Sequence, residues 1–245
     1  MAPALTLRLE AFTRLSQDDK AALAKLSKTS RVVPARRDLI REGERPQYVH
    51  LMVDGWACRY KTVPDGRRQV LAFFVPGDFC DLNVYVLREM DHSIAAITRL
   101  SVADISREEM DTLIAGRPRI TQALSWESLV AAAIQREWTL NIGQRTAYER
   151  IAHLLVELFI RLKSVKLTQG DSCDFPITQT DIADAIGLTA VHVNRTLQEL
   201  RRDGLIVLER KRLRIPNLER LKAAAMFNPN YLHLNHEGGH LDAND

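Results

Sequence analysis

The chain has 245 residues, enough for two modest domains rather than one. Hydrophobic residues make up 46% and charged residues 27%, which excludes a disordered chain, and 11 Gly with 9 Pro exclude a collagen-like or linker-like one. A formal charge of +3 is too weak for a protein that coats polyanions, so a nucleic-acid role must rest on where the charge sits.

The first residues lack the long apolar core of a signal peptide. The longest strongly apolar run, 70–75, falls far short of the ~20 residues that span a bilayer. Cys58, Cys80 and Cys173 lie far apart, with no CxxC or Cys/His zinc spacing. The expectation is a cytoplasmic protein with no membrane contact, no structural metal and no disulfide framework.

Segment 9–28 places Phe12, Leu15, Leu23 and Leu26 among polar residues and reads as one or two short helices, the second capped by Ser16. From Arg31 short segments alternate with turns at Glu42-Gly43-Glu44, Asp54-Gly55, Pro64-Asp65-Gly66 and Pro76-Gly77-Asp78. A turn about every ten residues is the rhythm of an antiparallel β-roll or sandwich. Strands are expected over 48–53, 56–63, 69–75, 93–97 and 101–106, with Asp65-Gly66 turning a hairpin.

Ser106-Arg-Glu-Glu109 is a capping box, Gly116 suits a helix stop, and Pro118 suits the first turn of the next helix. Residues 120–142 run without Pro, carrying Ile120, Leu124, Leu129, Val130, Ile134, Trp138 and Ile142, with Ala131–Ala133 central. Such a helix is about 37 Å long. It is apolar over more than one stripe, so it packs on its own domain and on a partner helix, or else is an ordinary core helix. Asn141 to Arg145 breaks the pattern, and Thr146-Ala-Tyr-Glu149 opens a fresh helix, so a hinge is expected at 143–145. From Asn228 the chain turns polar, and its last ten residues or so are expected to be mobile.

Segment 178–206 carries the most information. A short helix would bury Ile182, Ala183 and Ile186 and expose Asp181 and Asp184; Gly187 turns the chain, and Thr189 caps a second helix with Val193, Leu197 and Leu200 inward. That is a helix-turn-helix, whose second helix fits a major groove about 12 Å wide. The following segment reads as a hairpin with a basic tip. Positions 189–214 hold seven basic residues against three acidic ones, a local net of +4 that exceeds the whole chain's +3. The charge is focused where a DNA footprint would lie.

This order of segments, with Arg41-Glu-Gly-Glu44, Val53-Asp-Gly55, Asp65-Gly-Arg-Arg-Gln-Val-Leu, Phe74-Val-Pro-Gly-Asp-Phe79 and the helix-turn-helix, resembles the CRP/FNR family of bacterial transcription regulators. The resemblance spans about 9–221. It implies an α+β fold: an N-terminal antiparallel β-roll (a cupin-like jelly roll, 1–116), a dimerisation helix (117–142), the hinge, a C-terminal winged helix-turn-helix (146–222) and a partly disordered tail (223–245). It further implies a homodimer on a pseudo-palindromic operator in double-stranded DNA, with RNA polymerase as a further partner. Ala131–Ala133 would let two helices approach, with Ile134 and Trp138 packing around them.

The expected DNA-binding residues are Thr178 and Gln179 on phosphate, Arg195 on guanine, Thr189, Ala190, Val191, His192 and Asn194 at the helix start, and Arg201 and Lys211 on the basic side. The expected effector pocket contains Asp81, Leu82, Asn83, His92 and Ser93. Members that bind a cyclic nucleotide carry Gly-Glu and Arg-Ser there; this chain has Asp81-Leu82 and His92-Ser93, so a ribose carboxylate and a phosphate-gripping guanidinium are missing and cyclic AMP does not fit. Oxygen-sensing members hold an iron–sulfur cluster on four cysteines; three in total, none before Cys58, argue against it. His50 and His92 have the chemistry to ligate haem, against the plainer reading of hydrogen-bonded structure. His233, His236 and His240 read as surface histidines rather than metal ligands, and Cys80 as a small buried filler. The effector stays unidentified.

No nucleophile–base pair, phosphate loop or ligand cluster points to an enzyme. The rival reading is a small-molecule-binding regulatory module whose helix-turn-helix serves a protein contact.

Overall fold

The structure is a computed structural model in which residues 3–235 are described. The chain opens with α1 (Ala4–Glu10) and α2 (Gln17–Leu26), the latter started by the Ser16–Asp19 capping box. Eight strands follow: β1 (Arg31–Val33), β2 (Asp38–Ile40), β3 (Val49–Asp54), β4 (Ala57–Thr62), β5 (Arg68–Phe74), β6 (Phe79–Cys80), β7 (Ser93–Ala96) and β8 (Leu100–Ile105). They pair antiparallel into two four-stranded sheets, ordered β1-β8-β3-β6 and β2-β7-β4-β5. The expected β-roll is present, and its five longest strands are the ones the apolar runs announce. β1, β2 and β6 were not anticipated, being only two or three residues long. Gly77, at φ +94, lets the Pro76–Asp78 turn press on α1, where an added Cβ would lie 2.9 Å from the Ala4 carbonyl carbon.

α3 (Arg107–Ile114) carries the Ser106 capping box, and α4 (Pro118–Gln144) begins on its proline. α4 corrects two expectations. It continues through Gly143, so the chain breaks only at Arg145, where the backbone becomes extended. A glycine costs a helix only about 1 kcal/mol, too little to end one already packed on its own domain. Ile134 and Trp138 do not face outward: Ile134 is 6% exposed, and Trp138 packs edge-on against Phe73 of the roll. The outward stripe is Leu129, Ala132, Arg136, Leu140 and Gly143, at helical spacing.

α5 (Ala147–Ser164) starts at the Thr146–Glu149 capping box. β9 (Thr168–Gln169) and β10 (Ser172–Asp174) precede α6 (Gln179–Ile186) and α7 (Ala190–Arg202), and β11 (Val207–Glu209) with β12 (Arg212–Arg214) completes a third sheet, ordered β11-β12-β10-β9. α8 (Leu218–Ala224) follows. The tail expected from 223 is packed over its described part. The 3-10 turn Pro229–Leu232 returns to α4 and buries Tyr231 and Leu232. Apolar side chains at two positions overrode the polar composition around them. The last ten residues, with His236 and His240, lie outside the described residues.

One hydrophobic core runs through both halves. It encloses a chain of charges. Arg8 of α1 lies 3.0 Å from Asp78 and 2.8 Å from Glu127 of α4; Arg161 of α5 lies 2.6 Å from Asp78. Glu157 of α5 accepts from Trp138 at 3.1 Å and Tyr231 at 2.8 Å. Burial pushes the Glu157 carboxyl up, against the opposing pull of Arg161. Among the described residues no helix is long and apolar enough to cross a membrane.

Candidate DNA interface and effector cavity

Thr178 is the N-cap of α6, accepting from the Asp181 amide at 3.1 Å and donating to its carboxylate at 2.6 Å. Gly187 ends α6 in the left-handed region at φ 68, and Thr189 caps α7. Val193, Leu197 and Leu200 are buried, which turns the opposite face of α7 to solvent: Val191 is 81% exposed and the Arg195 side chain 72%. Thr189 and Ala190 are exposed beside them, and His192 and Asn194 are half-buried. Asn194 donates to Gln179 at 3.1 Å, so the two helices are tied through polar side chains near their N-terminal ends. Arg210 and Lys211 form the tip of the β11–β12 hairpin, both at positive φ as a two-residue turn requires. Arg201 is exposed and donates to the Leu208 carbonyl, linking α7 to that wing. The helix-turn-helix and basic hairpin expected from the sequence are therefore in place.

Asp181 and Asp184 depart from expectation. Asp181 is 1% exposed, not outward. Arg36 of the roll grips it bidentately at 2.8 and 3.0 Å, and Arg68 of β5 reaches both Asp181 and Asp184 at 3.0 Å. Burial alone would raise the Asp181 carboxyl; the Arg36 and Thr178 hydrogen bonds win and hold it at about 2. These basic partners lie over 100 residues away in the chain, so only the Thr178–Asp181 capping spacing was readable in advance.

A cavity of about 470 Å³ lies between the roll and α4. Phe74, Phe79, Val84, Val86, Leu87 and Ile134 give it apolar walls, and Arg8, Asp78, Glu127 and Arg161 border it on the charged side. Of the five residues expected at an effector pocket, Asp81, Leu82 and Asn83 line this cavity, and His92 and Ser93 do not. His92 stands behind Asp81, 2.9 Å from it through Nε2 and 2.8 Å from Asp91 through Nδ1, while Ser93 accepts from the Glu42 amide. Asp81 also pairs with Arg59. Burial would raise the Asp81 carboxyl, but His92 and Arg59 outweigh it and keep it below the usual range.

His50 is held by Asp104 at 2.8 Å, and His233 lies against the Trp126 ring. Among the described residues no three His, Cys, Asp or Glu side chains gather as metal ligands. All three cysteines are buried and free, and burial pushes the Cys58 thiol up to about 11.

The cyclic nucleotide-binding domain family matches residues 30–117, and the Crp-like helix-turn-helix domain family matches residues 149–224. The chain is 31% identical over 202 residues to the transcriptional activator protein FnrL of Cereibacter sphaeroides, across 81% of this chain and 80% of that one. It is 31% identical over 157 residues to the nitrogen fixation regulation protein FixK of Bradyrhizobium diazoefficiens, across 64% and 65% of the two chains. The solved structure of FixK2 from Bradyrhizobium japonicum is similar with a TM-score of 0.71 at 26% identity, covering 80% of this chain and 96% of that one. The two family matches fall on the two halves that α4 joins, and the chain belongs to the CRP/FNR family: it is a DNA-binding transcription regulator, not an enzyme, with a domain for a sensed signal.

Proposed function

We propose that the protein acts as a homodimer, joined along the outward stripe of α4, that reads a pseudo-palindromic operator with two copies of α7. Arg195 reads guanine through O6 and N7, Val191 meets a thymine methyl, and Thr178, Gln179, Arg201 and Lys211 hold phosphates. Thr189, Ala190, His192 and Asn194 complete the reading end. The dimer works in the cytoplasm, where RNA polymerase is its further partner. The observation that carries this reading is the exposure of Val191 and Arg195 on a helix whose other face is fully packed.

The cavity above α4 holds the effector. Its apolar walls, with Arg8, Arg59 and Arg161 at the charged border, suit a small molecule with an apolar body and an acceptor oxygen. Cyclic AMP fits poorly, because Asp78, Asp81 and Glu127 present carboxylates there and His92 is already engaged. A bound effector changes DNA affinity only by binding two arrangements of the dimer unequally.

Selection from randomised DNA tests the reading. It should return a two-fold site with half-sites about 10 base pairs apart, centre to centre. Arg195→Ala should then cost about 1–3 kcal/mol and relax one base pair per half-site. Negligible DNA affinity even at low salt would favour a protein-contact role for the helix-turn-helix, and equal loss on selected and random DNA would reduce Arg195 to a phosphate contact.

A further inference from the structure

The contact between the roll and α6 places four charges in one cluster. Arg36 lies in the turn between β1 and β2, at φ 65, a left-handed backbone uncommon outside glycine. Its amide is held by the Ala96 carbonyl at 2.8 Å, and its guanidinium forks onto both Asp181 oxygens. Arg68 lies over the Tyr60 ring, its guanidinium carbon 5.2 Å from the ring centroid, and spans Asp181 and Asp184. Next to it, Gln69 donates to the Ala185 carbonyl at 3.1 Å. The roll thus holds α6 near its start, in its second turn and close to its end.

These carboxylates occupy a sensitive place. Asp181 is three residues and Asp184 six residues beyond the cap Thr178, on the helix whose first residues face phosphate in the reading above. Two bare carboxylates there would repel a phosphate backbone over a Debye length of about 10 Å at 0.1 M salt. Two arginines from the other domain cancel them. The fork geometry also sets direction, since a guanidinium gripping both oxygens fixes orientation as well as distance.

We propose that Arg36 and Arg68 are positioning residues for DNA binding: through Asp181 and Asp184 they fix the helix-turn-helix against the roll and neutralise the carboxylates beside its phosphate-facing end. The second half of this statement rests on the phosphate role of Thr178 and Gln179. The docked arrangement is the DNA-competent one.

The test uses the full-length chain with the double substitution Arg36→Gln and Arg68→Gln. Glutamine keeps a hydrogen-bond donor beside the buried Asp181, and thermal melting checks that the fold survives. Operator affinity should fall about tenfold or more, within the usual range of coupling between sites. Amide exchange of 179–186 and of the facing strand should rise in the free protein. The pair Arg36→Lys and Arg68→Lys, which keeps charge but loses the fork, should restore only part of the affinity. Unchanged or tighter operator binding would overturn the proposal, the latter showing that the contact restrains. Lost affinity without faster exchange would leave charge alone at work and overturn positioning. Gln179→Ala is the separate control: if it does not weaken binding to selected and random DNA alike, the phosphate reading fails, whereas the exchange result stands independently.

Discussion

Arg161 and Asp78, 2.6 Å apart and both nearly inaccessible, join the DNA-binding half to the turn that borders the cavity between the roll and α4. Arg161 belongs to α5, and Asp78 also receives Arg8 and caps the Val75 amide at 2.8 Å. One carboxylate therefore holds three elements from distant parts of the chain. Asp78→Ala should leave two buried guanidiniums short of an acceptor and cost about 3–5 kcal/mol, as breaking buried pairs does. Urea denaturation measures this. A loss under 1 kcal/mol would mean that water replaces the carboxylate.

Dimerisation should depend on Leu129 and Leu140, which are 60% and 46% exposed on the outward stripe of α4. Leu129→Asp with Leu140→Asp would put carboxylates against their symmetry mates, where desolvation and repulsion act together. The variant should sediment as a monomer at micromolar concentration and lose operator affinity while its melting transition persists. Ile134→Ala should instead cost about 2–5 kcal/mol in stability and leave the dimer intact, because Ile134 belongs to the chain's own core. A dimeric double variant would place the interface elsewhere.

His153 predicts a pH dependence. It lies 3.2 Å from Glu137 with neither ring nitrogen hydrogen-bonded, among Phe227, Tyr231 and Arg145. Burial first, and the Arg145 charge second, push its imidazole down to about 3. The unfolded chain takes up this proton near pH 6.5 and the folded chain does not, so stability falls as pH drops below 6.5. The raised Glu157 carboxyl works the other way, losing stability as pH rises through its folded value. The difference between wild type and His153→Gln isolates the imidazole. It should shrink by about 1–2 kcal/mol between pH 6.5 and pH 5 in denaturation series. Parallel curves would show that the ring protonates freely in place.

Cyclic AMP at micromolar concentration should give no heat on titration and no change in operator affinity, since Asp81 occupies His92 and Arg59 and lines the cavity itself. Tight, stoichiometric binding would sink the argument from Leu82 and His92.

The local devices were legible in the sequence because their physics is local. Capping boxes at Ser16, Ser106 and Thr146 start helices where side chain and backbone sit three residues apart. The Asp65-Gly66 turn and Gly187 follow from positive φ, and the basic hairpin tip from composition. The helix-turn-helix is likewise a pattern within about 25 residues. Three things were not legible. The burial of Asp181 depends on Arg36 and Arg68, which the chain brings back from 145 and 113 residues away. The inward turn of Ile134 and Trp138 depends on which face of α4 meets the roll, and periodicity gives two apolar stripes without saying which is covered at home. The docking of Tyr231 depends on Glu157, a buried acceptor that must be satisfied and that no spacing announces. Helix and turn propensity is written in neighbouring residues; the burial of charge is decided only when distant partners fold together, since a carboxylate enters the interior only where donors already wait for it.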